Sequence, residues 1–202
     1  MDRMDIAELH YICPIANVAS ICEKGILSHN AVREIAHVSL ALPEVQSLRE
    51  TVPLQDGRML HDYVNLYFHA RNPMMYYRRE QHGNLCVLRI SDSVLDIQGT
   101  MIADRNAARR QTWFRPGPEG LRYLNRHLVF ARDWTHRDPE RADYQKAVKC
   151  AEVLVPHHVS SDRIVGAYVS CDDAYYDMMA LEVPWPVTQC PDIFFQEESD
   201  VW

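Results

Sequence analysis

The run Lys149-Cys150-Ala151-Glu152-Val153-Leu154-Val155 constrains this chain more than any other. Val153 to Val155 is an apolar stretch of strand-forming residues that belongs in a core. Glu152 stands at its head. A carboxylate carried into an apolar interior is costly unless a partner neutralises it or a function requires it. The fold must therefore bring a cation to Glu152, or build a site around it. One reading is a strand-end carboxylate paired with a Lys or Arg. The other is a carboxylate that grips a sugar hydroxyl and stabilises positive charge on the ring, as carboxylates do in glycoside chemistry.

A second segment, Leu60 to Tyr76, crowds tyrosines, histidines and Arg71 into an apolar run. Tyr63 and Tyr67 fall in its strand-like part. They are either half-buried core or faces on which a flat ring stacks. Arg71 follows Tyr67 by four and suits a diphosphate, which a guanidinium meets bidentately. A third segment, residues 104–126, carries Arg105, Arg109, Arg110, Arg115, Arg122 and Arg126, with Trp113 and Phe114 between them and only Asp104 and Glu119 opposing. Arginine for phosphate and aromatic faces for bases are the components of a single-strand groove. The alternative is a solvated helix with two core aromatics.

The 202 residues suffice for one domain with a sizeable core, and residues 1–202 are read as a single domain. The net charge of −7 argues against nucleic acid, but the acidity is local. No Lys or Arg follows Arg163, whereas Asp172, Asp173, Asp177, Glu182, Asp192, Glu197, Glu198 and Asp200 do. Up to Arg163 the chain holds 21 bases against 20 acids, so a basic face is permitted there. No window approaches a membrane span, and the N-terminus lacks a signal-peptide core. The six cysteines form no CxxC pair and read as reduced core residues of a cytoplasmic protein. His157, His158 and Cys171 match no metal spacing, so no metal is expected. GxGxxG, GxxxxGK[ST] and GxSxG are absent, which removes the main support for Rossmann, P-loop and hydrolase-elbow readings.

Periodicity and turn residues predict strands over 8–12, 63–68, 84–90, 100–103, 152–155 and 164–169, with a last one inside 184–193. Helices are predicted from Pro14 to Gly25, with Ile15, Val18, Ala19 and Cys22 on one face, and over 43–50, 118–126 and 139–149. Short strands among irregular helices make an α+β domain.

Four of these stretches, in order and at sensible spacing, resemble the DarT family of DNA ADP-ribosyltransferase toxins. The first is His10-Tyr11-Ile12 with Asn17, Gly25-Ile26-Leu27 and His29-Asn30. The second is Leu60-His61-Asp62-Tyr63-Val64 through Tyr67-Phe68, Arg71 and Pro73-Met74. The third is Ala103-Asp104-Arg105-Asn106, and the fourth is Ala151-Glu152-Val153-Leu154-Val155. The resemblance implies an ADP-ribosyltransferase-like fold with a split, twisted β core and surrounding helices. It implies an enzyme that cleaves NAD and moves ADP-ribose to a nucleobase in single-stranded DNA, with thymine the first choice and guanine the second. The implied partner is a macrodomain antitoxin of the DarG type. Glu152 takes the place of the catalytic glutamate, and Arg49 that of a functional arginine upstream of the tyrosine-rich signature. His10, Tyr11, Ile12, Asn17, Leu27, Tyr63, Tyr67 and Arg71 are the expected NAD contacts. Tyr11 falls where the family has a histidine on its first strand. Arg105, Arg109, Arg110, Trp113 and Arg115 are the expected strand contacts. A non-catalytic nucleotide or nucleic-acid binding module, and a transferase acting on RNA or protein, are the rival readings.

Overall fold

A computed structural model describes residues 1–196. Glu197, Glu198 and Asp200 of the acidic tail, and the end of the expected domain at residue 202, lie outside the described residues. The strands are β1 (Leu9–Pro14), β2 (Ile26–Leu27), β3 (Tyr63–Tyr67), β4 (Leu85–Ile90), β5 (Met101–Ala103), β6 (Phe114–Pro116), β7 (Glu152–Pro156), β8 (His158–Val159), β9 (Ile164–Val169) and β10 (Val187–Gln189). The helices are α1 (Val18–Lys24), α2 (Pro43–Glu50), α3 (Pro73–Arg78), α4 (Arg126–Val129), α5 (Pro139–Val148) and α6 (Asp172–Ala180). Helices and a mixed sheet make an α+β fold. Among the described residues no helix is long and apolar enough to cross a membrane.

Eight strands form one sheet in the order β10-β9-β4-β1-β3-β7-β5-β6, while β2 and β8 form a separate pair. Among the described residues only β10 and β9 run parallel. The centre of the sheet is its weak seam. β1 pairs with β4 over six positions, but with β3 at His10↔Tyr67 alone. β3 in turn pairs with β7 over five positions. The sheet is thus two well-bonded halves that meet at one rung and part beyond it. That rung continues on both sides as Arg89↔His10↔Tyr67↔Glu152, so all four side chains share one face.

The two faces are covered differently. One packs Leu9, Cys13, Leu66 and Leu88 against Val18 and Ile21 of α1 and Ala174 and Met178 of α6. The other packs Ile12, Leu85 and Val87 against Met75 of α3 and Phe194. Helix starts follow local chemistry. Asn72 caps α3 by accepting from Met75 N at 3.1 Å, and Asp138 caps α5 by accepting from Glu140 N at 3.0 Å, each followed by Pro at the first turn. The sulfurs of Cys13 and Cys86 face each other across β1 and β4 at 3.6 Å.

Several sequence expectations need correction. Pro14 ends β1 instead of opening the helix, and the buried side of α1 is Val18 and Ile21, with Ala19 exposed. The helix expected over 118–126 is a 3-10 turn at Glu119–Tyr123 followed by α4, because Asn125 caps a new helix by accepting from Leu128 N. The segment before it, Phe114–Pro116, is an edge strand pairing with β5. Neither α3 nor α6 was expected. α6 opens on Asp172 and Asp173, which suit the positive end of a helix, and buries Ala174 and Met178 one turn apart.

Gly25 stops α1 at φ 73° and turns the chain directly into β2, which pairs Ile26 with Val159 of β8. A Cβ at this position would lie 2.4 Å from the Val159 carbonyl oxygen. Gly25→Ala combines a left-handed backbone with a main-chain clash, and should cost about 2 kcal/mol or more. Urea denaturation of the two proteins checks this, with a drop in midpoint at unchanged slope as the expected result.

Candidate active site in the split of the sheet

Where β1 and β3 part, a cavity of about 490 Å³ opens between them. This is an ordinary size for a small-molecule site. Its floor includes Tyr11 and Ile12 of β1 and Tyr63, Asn65 and Tyr67 of β3. α1 and β2 contribute Ile21 and Leu27, and α3 contributes Met74 and Tyr77. Much of the remaining wall is the irregular segment 28–42 between β2 and α2. A long connection without regular structure inside a compact fold commonly serves a site. Asn17 fastens it: its side-chain amide donates to Val38 O at 2.8 Å and its oxygen accepts from Val38 N at 2.9 Å.

The lining is electrostatically one-sided. Arg49, Arg78, Lys146, His29, His37 and His61 reach the cavity, and among the described residues that line it there is no Asp or Glu. In a chain of net charge −7, such a wall selects for an anion.

Glu152 stands just behind this wall, with a side chain 1% exposed. Arg49 Nη1 donates to its Oε1 at 3.2 Å and Arg49 Nη2 to its Oε2 at 3.1 Å, across 103 residues of sequence. Ala107 N also donates to Oε1, at 2.9 Å. Oε2 therefore keeps more free acceptor capacity than Oε1. Arg49 is the one buried residue of α2, so this short helix serves chiefly to deliver it. Burial works against the Arg49 charge, but the Glu152 charge and hydrogen bonds outweigh it, and the guanidinium is held above its ordinary range. Tyr67 is next to Glu152 on the rung. Burial, reinforced by the Glu152 charge, pushes its phenol well above the usual value, so it remains a proton donor. The same two causes push the Cys150 thiol up to about 12, which leaves it unreactive near neutrality.

The sequence-derived site divides on inspection. Arg49 and Glu152 are brought together, so the paired carboxylate and the site carboxylate are the same group. Tyr11, Ile12, Asn17, Leu27, Tyr63 and Tyr67 all line the cavity, although Asn17 is engaged with Val38 and the Tyr63 hydroxyl donates to Asp56 at 2.5 Å. His10 and Arg71 are not among the lining residues. His10 alternates to the other side of β1 from Tyr11, with Nε2 3.2 Å from Glu8 Oε1. Arg71 Nη1 donates to the Asp192 carbonyl at 2.5 Å, and its guanidinium lies 4.0 Å from the Phe195 ring centre. It therefore ties the segment around Asp192 to the core and stands apart from the cavity lining.

The arginine-rich stretch is also partly self-satisfied. Arg105 is bonded to Asp104 at 2.6 and 2.9 Å, and Arg109 to Asp143 at 2.6 and 3.1 Å. Trp113 is half-buried, and Arg115 sits over the Trp113 and Tyr123 rings. Arg110 and Arg115 are exposed. Sequence reasoning overlooked Gln46, His29 and His61. Gln46 Oε1 and both ring nitrogens of His61 are buried with no hydrogen-bond partner among the described residues. His61 lies within the tyrosine-rich signature, and Gln46 precedes Arg49 by three, one turn away on the same helix face; those spacings were the available signals. Among the described residues no group of three or more His, Cys, Asp or Glu side chains is placed to hold a metal ion.

The buried ion pair makes a stability prediction. Arg49→Leu leaves the Glu152 carboxylate without its cation and should cost about 3–5 kcal/mol. Removing both charges, with Glu152→Leu added, should recover much of that loss. Chemical denaturation of the single and double variants is the measurement, and a double variant no more stable than the single would argue against charge pairing as the cause.

Comparisons with known proteins agree on one family. The profile described as "ssDNA thymidine ADP-ribosyltransferase, DarT" matches residues 10–195. A DNA ADP-ribosyl transferase–DNA ADP-ribosyl glycohydrolase fusion protein of Thermosipho africanus is 33% identical over 171 residues, which cover 81% of this chain and 42% of the fusion. The solved Thermosipho africanus DarTG in complex with ADP-ribose superposes with a TM-score of 0.80 at 28% identity, covering 94% of this chain and 51% of that one. This chain therefore spans about half, or less, of these two relatives. Thermus sp. 2.9 DarT, in complex with ADP-ribosylated ssDNA, has the same fold, with a TM-score of 0.83 at 22% identity over 94% of this chain and 97% of that one. With most of its length matched by the family profile, and with the fold shared, this chain belongs to the DarT family.

Proposed function

We propose that this chain transfers ADP-ribose from NAD to thymidine in single-stranded DNA, as the toxin of a toxin–antitoxin pair. The observation that carries the reading is Glu152, buried and held bidentately by Arg49, beside a cavity lined with cations and no carboxylate. The family description supports thymidine ahead of guanine as acceptor. A complex of Thermus sp. 2.9 DarT with NAD+ supports the co-substrate, and the Thermosipho fusion to a DNA ADP-ribosyl glycohydrolase supports a macrodomain-type partner that removes the mark. The protein is proposed to act in the cytoplasm, as one transferase domain over residues 1–202.

The residues present fit NAD. Tyr11, Tyr63 and Tyr67 offer ring faces and the cationic wall suits a diphosphate, while Glu152, bonded to Arg49 just behind that wall, suits a ribose hydroxyl. Breaking the nicotinamide glycosidic bond of NAD builds positive charge on the ribose as nicotinamide leaves with the bonding electrons. The Glu152 carboxylate is proposed to stabilise that charge, with Oε2 the oxygen free to hold the sugar. Arg49 fixes the carboxylate plane. Its guanidinium does not deprotonate near neutrality, so Arg49 orients or stabilises the acceptor base, and the proton lost by the base passes to solvent water. Asn17, by fastening Val38, keeps the 28–42 segment closed over the cavity and limits competing hydrolysis.

Glu152→Gln should fold and bind NAD, yet lose roughly two orders of magnitude or more in transfer rate. Arg49→Lys should not restore full activity to that position, because a point charge cannot replace a planar fork on Glu152. Transfer is read by mass spectrometry of one thymidine-containing oligonucleotide, with NAD affinity measured in parallel by calorimetry. Near-normal transfer by folded Glu152→Gln would sink the assignment.

The acceptor strand is proposed to run along the exposed edge that carries Arg110 and Arg115, beside Trp113, with Arg105 and Arg109 holding that edge through Asp104 and Asp143. Replacing Arg110 and Arg115 together with alanine should weaken DNA binding and flatten its salt dependence, by about two counterions if both meet phosphates. NAD affinity should be unchanged. A salt slope equal to that of the parent protein would place the strand on another face.

A further inference from the structure

With Arg71 held at Asp192, a diphosphate in the cavity falls to the groups that line it. We propose that the stacked pair His61 and His29, beside Arg49 on the cavity wall, holds the diphosphate of the dinucleotide and takes up a proton as it does so. The inference rests on the NAD reading above and deepens it.

Four observations point to this pair. His61 is 5% exposed and lines the cavity, and neither of its ring nitrogens has a hydrogen-bond partner among the described residues. A buried polar side chain with two unpaired nitrogens is costly unless a ligand completes it. His29 also lines the cavity, and its ring lies 4.1 Å from that of His61 at 32°. The backbone holds the pair in place: Asn30 N donates to His61 O at 3.1 Å, and Asn30 Nδ2 to Asp62 Oδ1 at 2.7 Å, which docks the 28–42 segment onto the start of β3. Finally, the cavity wall bears cations without carboxylates.

The charges around the pair define its protonation. His61 faces His29 and Arg33 from the 28–42 segment and Arg49 and Glu50 from α2, while His29 also faces His37. Burial lowers the pKa of both imidazoles. His29 and Arg49 add to this at His61, and Arg33 and His37 add to it at His29, while the Glu50 charge opposes them. Both rings are therefore neutral near pH 7 without a ligand, offering one donor each. A diphosphate beside them reverses the sign of the local field. It favours the imidazolium, and the added proton, drawn from solvent, gives a second charge-assisted donor. Because the anion raises the histidine pKa, affinity for NAD is constant above the raised value and increases as pH falls through it.

Calorimetry tests this with three probes: NAD, ADP-ribose and nicotinamide riboside, which lacks the diphosphate. Binding is measured near pH 7 in two buffers of different ionisation heat. The parent protein should take up a fraction of a proton with NAD and with ADP-ribose, and none with nicotinamide riboside. His61→Phe keeps a ring against His29 but cannot donate. It should weaken NAD and ADP-ribose about tenfold or more, abolish most of the uptake, and leave nicotinamide riboside unaffected. His29→Ala, at an exposed position that does not endanger folding, should show the same pattern to a smaller degree. NAD affinity within about twofold of the parent in both variants, proton uptake equal to the parent's, or equal weakening of nicotinamide riboside would each overturn the assignment. Failure of the parent protein to bind NAD at all would instead refute the NAD reading on which the assignment rests.

Discussion

The contact between Arg49 and Glu152 is the interaction around which the rest of this structure is arranged. Each charge is buried, and each would be costly without the other. Each is delivered by a different device. Glu152 heads β7, which sits between β3 and β5. Arg49 is carried by a short helix that buries nothing else. Ala107 N completes the carboxylate from a third direction, so strand, helix and loop are fixed relative to one another by a single side chain. The geometry immobilises the carboxylate without exhausting it. A fixed, dry, incompletely satisfied carboxylate is better suited to stabilising a developing cation than a solvated one.

The cavity beside this pair follows from how the sheet is built. β1 and β3 share one rung and then diverge, so the centre of the molecule is open where most sheets are closed. On the rung itself the polar side chains of Arg89, His10, Tyr67 and Glu152 lie in a row. Past it, Tyr11, Tyr63 and Asn65 line an open space, and the 28–42 segment forms much of the remaining wall. The two amide contacts from Asn17 to Val38 hold that segment near β1, which gives an otherwise irregular stretch a defined place. Segregation of charge does the rest. The acids of this acidic protein are kept off the cavity wall, so the interior attracts what the whole surface would repel.

The stacked histidines show why a cavity wall cannot be interpreted one residue at a time. His61 is part of the most recognisable motif in the chain, yet its neighbours come from elsewhere, His29 from the irregular 28–42 segment and Arg49 from α2. Its chemical state depends on their joint field and on how deeply the fold buries it.

Local chemistry in the sequence determined much of this protein. The apolar runs gave β1, β3, β4, β7 and β9 within a residue or two, and α2 and α5 followed from Pro at their first turns. Glu152 was conspicuous because a lone carboxylate on an apolar strand needs an explanation that the strand itself does not contain. What the sequence by itself could not decide was pairing. Arg49 and Arg71 look equally suited to an anion in one dimension. The fold places Arg49, on the cavity wall, against the carboxylate behind it, and Arg71 against Asp192, far along the chain. Arg109 likewise looked free until Asp143 was brought to it. His10 and Tyr11 are adjacent in sequence, but strand alternation turns them to opposite sides, and only the packed fold shows that Tyr11 lines the cavity while His10 meets Glu8. The sequence determined which groups were present and the elements that carry them. The tertiary structure decided which charges meet, because contacts between distant residues depend on sheet register and loop closure, and no local pattern encodes either.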